Sequence, residues 1–531
     1  METVSHQPQR VVEEQRVPRG SRSSGRSVVS SLSTQTLLQI VLFAGIFVLN
    51  FFEETDPDLW WHLATGRYIV QTGSIPTTDI FSYTAAGRPW MAHEWLAEIV
   101  MFLLYRTWGY AAAVVVFAAL ITLAYWVVFR TLRLLEAGVV VSAVITFWMA
   151  AMAVTSWNVR PQIFSYLFFA VYLYLLLRSR RTPGRAIWLM PAIMVVWVNL
   201  HAGYIMGLLL QGLFIVGEVA NWVSKRRRDG ERTQNPELRT QNLEFARQNP
   251  PLQRYLLVAA ATLAATVANP RGPSILLYPL EYSGTQNASM RFIAEWQSPN
   301  FHNYFFFIFG AAILLLMAVR GRAPQDWAIA VPVLVLTAMT FESVRVIAFF
   351  SIAAAPYIAS RLTRGRDQGS GTTKSVPRPP TPAPRLLNWL LLAVCLGAMA
   401  LPLFISDRAQ VRSEPRTVSF PVEGVNYLKQ AGITGNLFNT YQWGGYLAWI
   451  YYPDRRVFVD GRADMYGDQF IQKYMTVNGA GSGWSQILDE YGVQAALIEK
   501  DGPLATLLAA SGKWKEVFQG PVESVFVKST R

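Results

Sequence analysis

Thiol chemistry is nearly absent from this sequence: one residue in 531 is cysteine. Cys395 lies inside an apolar run, so neither a disulfide framework nor a cysteine metal site is available. Charge is scarce as well, at 15% of residues against 52% apolar. Most apolar runs carry no charge at mid-span, which speaks against an ion-coupled transporter, whose sites lie near the bilayer midplane. No internal repeat is visible. The Ser/Arg-rich leader lacks a small-residue cleavage site before the first apolar run, which argues for an uncleaved first helix over a removable signal peptide. The net charge of +13 does not point to nucleic acid, because Lys and Arg cluster in the short segments between apolar runs, where they set topology.

What is present is a series of apolar runs of about 15–22 residues, the length that spans a bilayer core as helix. They place membrane helices near 37–52, 110–130, 139–156, 162–178, 186–199, 203–223, 255–269, 303–320, 326–341, 345–361 and 386–405. In that assignment the leader, Arg130 to Arg133, RSRRTPGR, KRRR with its polar continuation, RGR and the Pro-rich 361–385 all fall on one side, the cytoplasm. About eleven spans then put the C-terminus outside. Residues 1–36 read as a disordered cytoplasmic tail. Residues 37–405 read as a transmembrane domain with a large first outer loop, 53–109, and cytoplasmic linkers 224–254 and 362–385. From 406 to 531 the apolar runs give way to elements of soluble length. RRVFVD, QAALIE and ESVFVK look like short buried strands alternating with helices such as Trp484 to Tyr491. The fold class is a polytopic α-helical membrane protein with a C-terminal extracytoplasmic α/β domain.

The stretch EETDPDLWWH, directly after the first apolar run, sets carboxylates and tryptophans where the chain leaves the membrane. Asp56 or Asp58 would cap a helix starting at Pro57 or Leu59. That helix, to Gln71, puts Leu59, His62, Leu63, Gly66, Ile69 and Val70 on one face, as expected of a helix lying at the membrane surface. Beyond it, GSIPTTDIFSYTAAGRPWMAHEW is too elaborate for a simple connector.

DPDLWWHLATGRYI, the Gly73 to Pro76 turn, Gly87-Arg88-Pro89-Trp90 and His93-Glu94-Trp95 together resemble the first extracytoplasmic loop of membrane glycosyltransferases that use polyprenyl-phosphate sugar donors. This is the GT-C class, including protein O-mannosyltransferases and lipid A aminoarabinose transferases. The likeness covers about 55 residues, by the order and spacing of its turns and helix starts. It departs at Leu59, where those families carry a paired acid, and at MAHEW, where they carry Lys-Pro-Pro. The same loop looks more closely like a large set of bacterial membrane proteins described only as glycosyltransferases.

The resemblance implies a carboxylate base at the membrane surface, with Asp58 the first choice and Asp56 the second. The leaving phosphate needs positive charge beside it instead of a general acid. Outer-side cations are few, and Arg160, His201, Arg271, Arg291 and Arg345 are the candidates for a phosphate site. Each can equally be an interfacial arginine or an ion-pair partner. His93 and Glu94 are candidates for metal binding, with Asp58 as a third ligand, or for acceptor binding, and the sequence leaves open whether a Mg or Mn ion bridges the donor phosphate. In the outer domain, NTYQWGGYLAWIYYPDRRVFVDGRADMYG is similar in layout to the part of the oligosaccharyltransferase catalytic subunit that starts at its Trp-Trp-Asp-Tyr-Gly motif, without the acidic residue. Trp443, Gly444, Tyr446, Asp460, Arg462 and Asp464 are either a substrate surface there or residues that hold the domain together. The function implied is sugar transfer from a polyprenyl-phosphate donor to an envelope lipid, glycan or protein on the outer face of the cytoplasmic membrane. The competing reading is a transporter, lipid-binding protein or scaffold.

Overall fold

In the computed structural model of the chain, the described residues are 33–50, 56–232, 250–278, 294–302, 304–319, 325–367 and 420–529, with isolated positions between 389 and 397. The leader to residue 32, the linker stretches 233–249 and 368–388, most of the expected last span, and Glu53, Glu54 and Arg291 lie outside them.

Each apolar run that falls on described residues is helical. In chain order the helices are α1 (Thr34–Val48), α2 (Asp58–Thr72), α3 (Trp95–Trp108), α4 (Tyr110–Leu134), α5 (Val139–Ala153), α6 (Gln162–Arg181), α7 (Leu189–Leu200), α8 (Tyr204–Arg232), α9 (Pro250–Ala265), α10 (Tyr304–Val319), α11 (Trp327–Glu342) and α12 (Ile347–Asp367). Among the described residues, five stretches are long and apolar enough to cross a membrane: Tyr110–Leu134, Val139–Ser156, Gln162–Arg181, Tyr204–Arg227 and Val344–Thr363. The shorter apolar helices, such as α1 and α11, have 15 and 16 residues. At about 1.5 Å per residue they reach roughly 23 Å, less than a hydrocarbon core of about 30 Å. The bundle is mostly helical around a continuous apolar core in which α4 packs on α6, α8 on α11 and α5 on α12.

The helix after the first span begins at Asp58, with the Asp56 carboxylate accepting the Asp58 N–H at 2.9 Å. It ends at Gly73, whose left-handed φ of 69° lets its N–H close on the Ile69 carbonyl. This helix is enclosed between α3 and a helix of the outer domain, and Trp60 is buried in edge-on contact with Phe420 and Tyr446.

The C-terminal domain, called the outer domain after its expected side of the membrane, carries α13 (Val422–Gln430), α14 (Gly444–Tyr451), α15 (Ala463–Tyr466), α16 (Asp468–Asn478), α17 (Trp484–Glu490) and α18 (Pro503–Ala510). These surround a four-stranded sheet of β1 (Asn436–Asn439), β2 (Val493–Glu499), β3 (Trp514–Gln519) and β4 (Glu523–Lys528), ordered β1-β2-β4-β3. The first pair is parallel and the others antiparallel. QAALIE and ESVFVK are strands as expected, but RRVFVD is not a strand of this sheet. Its backbone bonds run instead to the first outer loop, with Val457 N–H on the Phe81 carbonyl at 2.9 Å and Tyr83 N–H on the Val457 carbonyl at 3.1 Å. Asn439 takes the Phe458 N–H on its side-chain oxygen. An extended, apolar segment has thus been used to fasten the two parts of the chain together.

Candidate active site

Between the helical bundle and the outer domain lies a cavity of about 1110 Å³. Asp58, at the head of α2, opens onto it with its side chain 22% exposed. Beside it Asp56 is buried, and one guanidinium holds both: Arg160 Nη2 stands 3.2 Å from Asp58 Oδ2, and its Nε contacts Asp56 Oδ2. Arg160 Nη1 also donates to both oxygens of Glu295, at 3.0 and 3.3 Å. Three carboxylates therefore share one arginine. Burial raises the Asp58 pKa to about 6; Arg160 pulls it down, while Asp56 and Glu295 add repulsion. A carboxylate poised there can accept a proton near neutral pH. The native state then holds a proton that the unfolded chain has released, so between about pH 4 and 6 the Asp58 contribution to stability falls as pH rises.

The outer domain fixes Asp58 from the other side. A Cβ on Gly461 would stand 2.0 Å from Asp58 Oδ1, and one on Gly445 would stand 2.7 Å from the Pro57 carbonyl. Only glycine permits this approach. Gly461→Ala should push the Asp58 carboxylate aside and cost about 10²-fold in turnover, the usual result of a displacement near 1 Å. Single-turnover rates set beside a melting curve would test this, and an unchanged rate would mean that Asp58 need not sit where it does.

A second cluster lines the same cavity. Glu94, directly before α3, has His93 Nε2 at 3.3 Å and His201 Nε2 at 3.5 Å from Oε1, and His62 Nε2 at 3.8 Å from Oε2. His62 Nδ1 faces Glu98 Oε1 at 3.3 Å. Burial pushes His62 down to about 3 and His201 down to about 4, in each case against the pull of Glu94. Burial opposes ionisation of Glu94 too, but His201, His93 and His62 together hold its carboxyl well below the usual range. Glu98, one turn on, is held well above that range by burial and by Glu94.

Of the residues singled out from sequence, Asp56, Asp58, Arg160, His201 and Arg345 all line this cavity, as do His93, Glu94, Arg462 and Asp464. Arg345 stacks over the Trp296 ring at 4.7 Å, and among the described residues no carboxylate lies within ion-pair distance of it. Arg271 lies off the cavity wall, over the Tyr278 ring at 5.2 Å. Trp443, Gly444, Tyr446 and Asp460 are buried behind the wall. Asp460 is bound to Arg462, which also reaches Asp79 of the first outer loop at 2.7 Å.

Among the described residues, no group of three or more His, Cys, Asp or Glu side chains is arranged to hold a metal ion. The three carboxylates that could have formed an oxygen cage converge on the Arg160 guanidinium instead. Asp58, His93 and Glu94 do not form a common donor set, since Asp58 faces Arg160 while His93 and Glu94 face each other. The expected Mg or Mn site is therefore not assembled from these side chains.

Glu295, Glu98, His62, Ser165 and Gly461 belong to the site but were not singled out as functional from sequence. Glu94 and Glu98 are spaced i, i+4, which puts both on one helix face and is a signal that could have found the pair. Nothing local marks Glu295, which reaches Arg160 across 135 positions of sequence.

No family model matches the sequence, and no curated protein matches it. Among solved structures the chain is similar to the oligosaccharyltransferase of Archaeoglobus fulgidus in its apo form, at 11% identity and a TM-score of 0.49, over 88% of this chain and 70% of that one. It is similar to the archaeal oligosaccharyltransferase AglB from the same organism, in complex with an inhibitory peptide and a dolichol-phosphate, at 10% identity and a TM-score of 0.48, over 87% and 69%. It is also similar to ArnT from Cupriavidus metallidurans bound to undecaprenyl phosphate, at 14% identity and a TM-score of 0.43, over 93% and 97%.

Proposed function

We propose that this chain is an integral membrane glycosyltransferase of the GT-C type. It takes a sugar from a polyprenyl-phosphate carrier on the outer face of the cytoplasmic membrane and passes it to an envelope lipid, glycan or protein. The orientation follows from the charge bias of the loops, with the N-terminus in the cytoplasm and the cavity and C-terminal domain outside.

One observation carries the reading. A carboxylate with a pKa raised to about 6 opens on a large cavity that also holds Arg345, an arginine not committed to a carboxylate among the described residues. In the proposed step an acceptor oxygen attacks the anomeric carbon while its proton passes to Asp58. The bond from that carbon to the phosphate oxygen breaks, and its electron pair leaves with the phosphate. One displacement of this kind inverts the anomeric centre. Arg345 meets the developing charge on the phosphate. Arg160 is already shared among three carboxylates, so its work is to hold Asp58 in position.

The test is purified protein in nanodiscs with radiolabelled polyprenyl-phosphate sugars and a membrane extract as acceptor source. Transfer of label is expected, and Arg345→Ala should weaken binding of the carrier phosphate by about 10- to 100-fold, the worth of a charge-assisted hydrogen bond. A folded protein that binds no carrier lipid would favour the transport or scaffold reading instead.

A further inference from the structure

The mechanism leaves the Glu94 cluster without work, although it is the most elaborately built part of the cavity. Its hydrogen bonds have a direction. The Trp197 indole donates to Ser165 Oγ at 2.7 Å, which turns the Ser165 hydroxyl hydrogen towards His201 Nδ1, also at 2.7 Å. The Gly203 N–H donates to the same Nδ1 at 2.9 Å. A Cβ on residue 203 would stand 2.4 Å from Ser165 Oγ and 2.6 Å from His201 Nδ1, so this approach requires glycine. With Nδ1 receiving two donors, His201 is neutral and carries its proton on Nε2, facing Glu94.

A second line runs from Glu98 through His62. Glu98 is buried, and among the described residues its Oε2 has no hydrogen-bond partner. An anion left that way is costly, so Glu98 is a neutral acid that donates to His62 Nδ1, and His62 Nε2–H then faces Glu94 Oε2. Two oriented lines therefore end on one carboxylate. Because both imidazole Nε2 atoms carry protons, their lone pairs are not available to a metal. At 3.8 Å, His62 is too far from Oε2 to make a full hydrogen bond, and this leaves acceptor capacity on Glu94 towards the cavity.

We infer that Glu94 is the hydroxyl-recognition subsite for the transferred sugar: a fixed anionic acceptor, flanked by the neutral His62 and His201, that bonds ring hydroxyls of a hexosyl group. The surroundings suit a sugar ring. Trp61 lines the cavity beside Asp58 and stacks on His62, with ring centroids 3.6 Å apart, and Tyr278 faces His93 at 4.5 Å. Asp58 and Glu94 then divide the work. The first takes a proton, while the second, faced by His62, His93 and His201, serves to orient. Ser165 is a positioning residue, acting through His201.

This inference rests on the proposed function, and its test separates the two. The probes are undecaprenyl phosphate and undecaprenyl phosphates carrying glucose, mannose or galactose, bound to wild type, Glu94→Gln and Ser165→Ala in nanodiscs. Wild type should bind at least one hexosyl lipid about tenfold or more tightly than the bare lipid. Glu94→Gln should remove that increment, a loss of about 10- to 100-fold, while bare-lipid affinity stays within about twofold and shows the fold to be intact. Ser165→Ala should lose part of the increment with the bare lipid again unaffected. An increment that survives Glu94→Gln, or wild type binding every lipid equally, overturns the subsite. Failure of folded wild type to bind the bare lipid overturns the transferase reading and the subsite with it.

Discussion

Asp58→Asn is expected to cut sugar transfer by about 10²- to 10⁴-fold, the range ascribed to general-base catalysis, and to leave binding of the polyprenyl-phosphate donor in place. The amide keeps the size and the contact with Arg160 but cannot take a proton. In wild type the same group should govern the acid limb of the pH profile. A base works when deprotonated, so kcat/KM should fall about tenfold per pH unit below a break near the Asp58 pKa of about 6. Melting curves separate this from unfolding. Burial and two carboxylate neighbours work against ionisation of Asp58, so the neutral amide should melt no lower than wild type at pH 7.5. Transfer that persists in Asp58→Asn with an unshifted acid limb would return Asp58 to the role of helix-end residue.

The apolar runs put Asp58 and Arg160 on one side of the expected membrane, and both line one cavity, but the ion pair between them is not legible in the sequence, where Arg160 reads as a phosphate ligand. That the apolar runs are helices was legible from their length, and among the described residues five stretches are long and apolar enough to cross a membrane. What stayed hidden depends on partners far away in the chain. RRVFVD alternates like a strand and is extended, yet its backbone bonds are made by Phe81 and Tyr83, some 375 positions earlier, and no local pattern records that choice. Strand β1 is only four residues long, and β3 carries polar residues on an exposed edge, so neither has the apolar alternation that marks a strand. At the site, Glu98 and Ser165 read as a helix-face carboxylate and an isolated polar residue in an apolar run. Their meaning comes only from His62 and His201, brought to them by packing of α2 against α3 and of α6 against α7.

Arg462 offers the largest expected effect on stability, because it joins the outer domain to the first loop through a buried ion network. Its Nε donates to Asp460 Oδ1 at 2.8 Å, and Nη2 reaches Asp460 Oδ2 at 2.6 Å and Asp79 Oδ1 at 2.7 Å. The guanidinium lies 4.3 Å over the Trp90 ring, and the side chain is 1% exposed. Asp79 in turn accepts the Phe81 and Ser82 N–H groups and so shapes the loop that pairs with Val457. Arg462→Ala would leave two carboxylates buried with no cation, a loss of about 3–5 kcal/mol for breaking such a pair. Arg462→Lys keeps the charge but not the planar fork, and should recover only part of it. Gly461, one residue before, sets the position of Asp58, so turnover should fall along with stability. The apparent melting temperature in nanodiscs and the protease sensitivity of the 452–462 segment would report the change. Because the cost is that of stranding charge, replacing Asp79 and Asp460 by Asn in the Arg462→Ala background should restore part of the lost stability; no restoration, or an unchanged melting temperature in Arg462→Ala itself, would mean that the two parts are held by their apolar contacts alone.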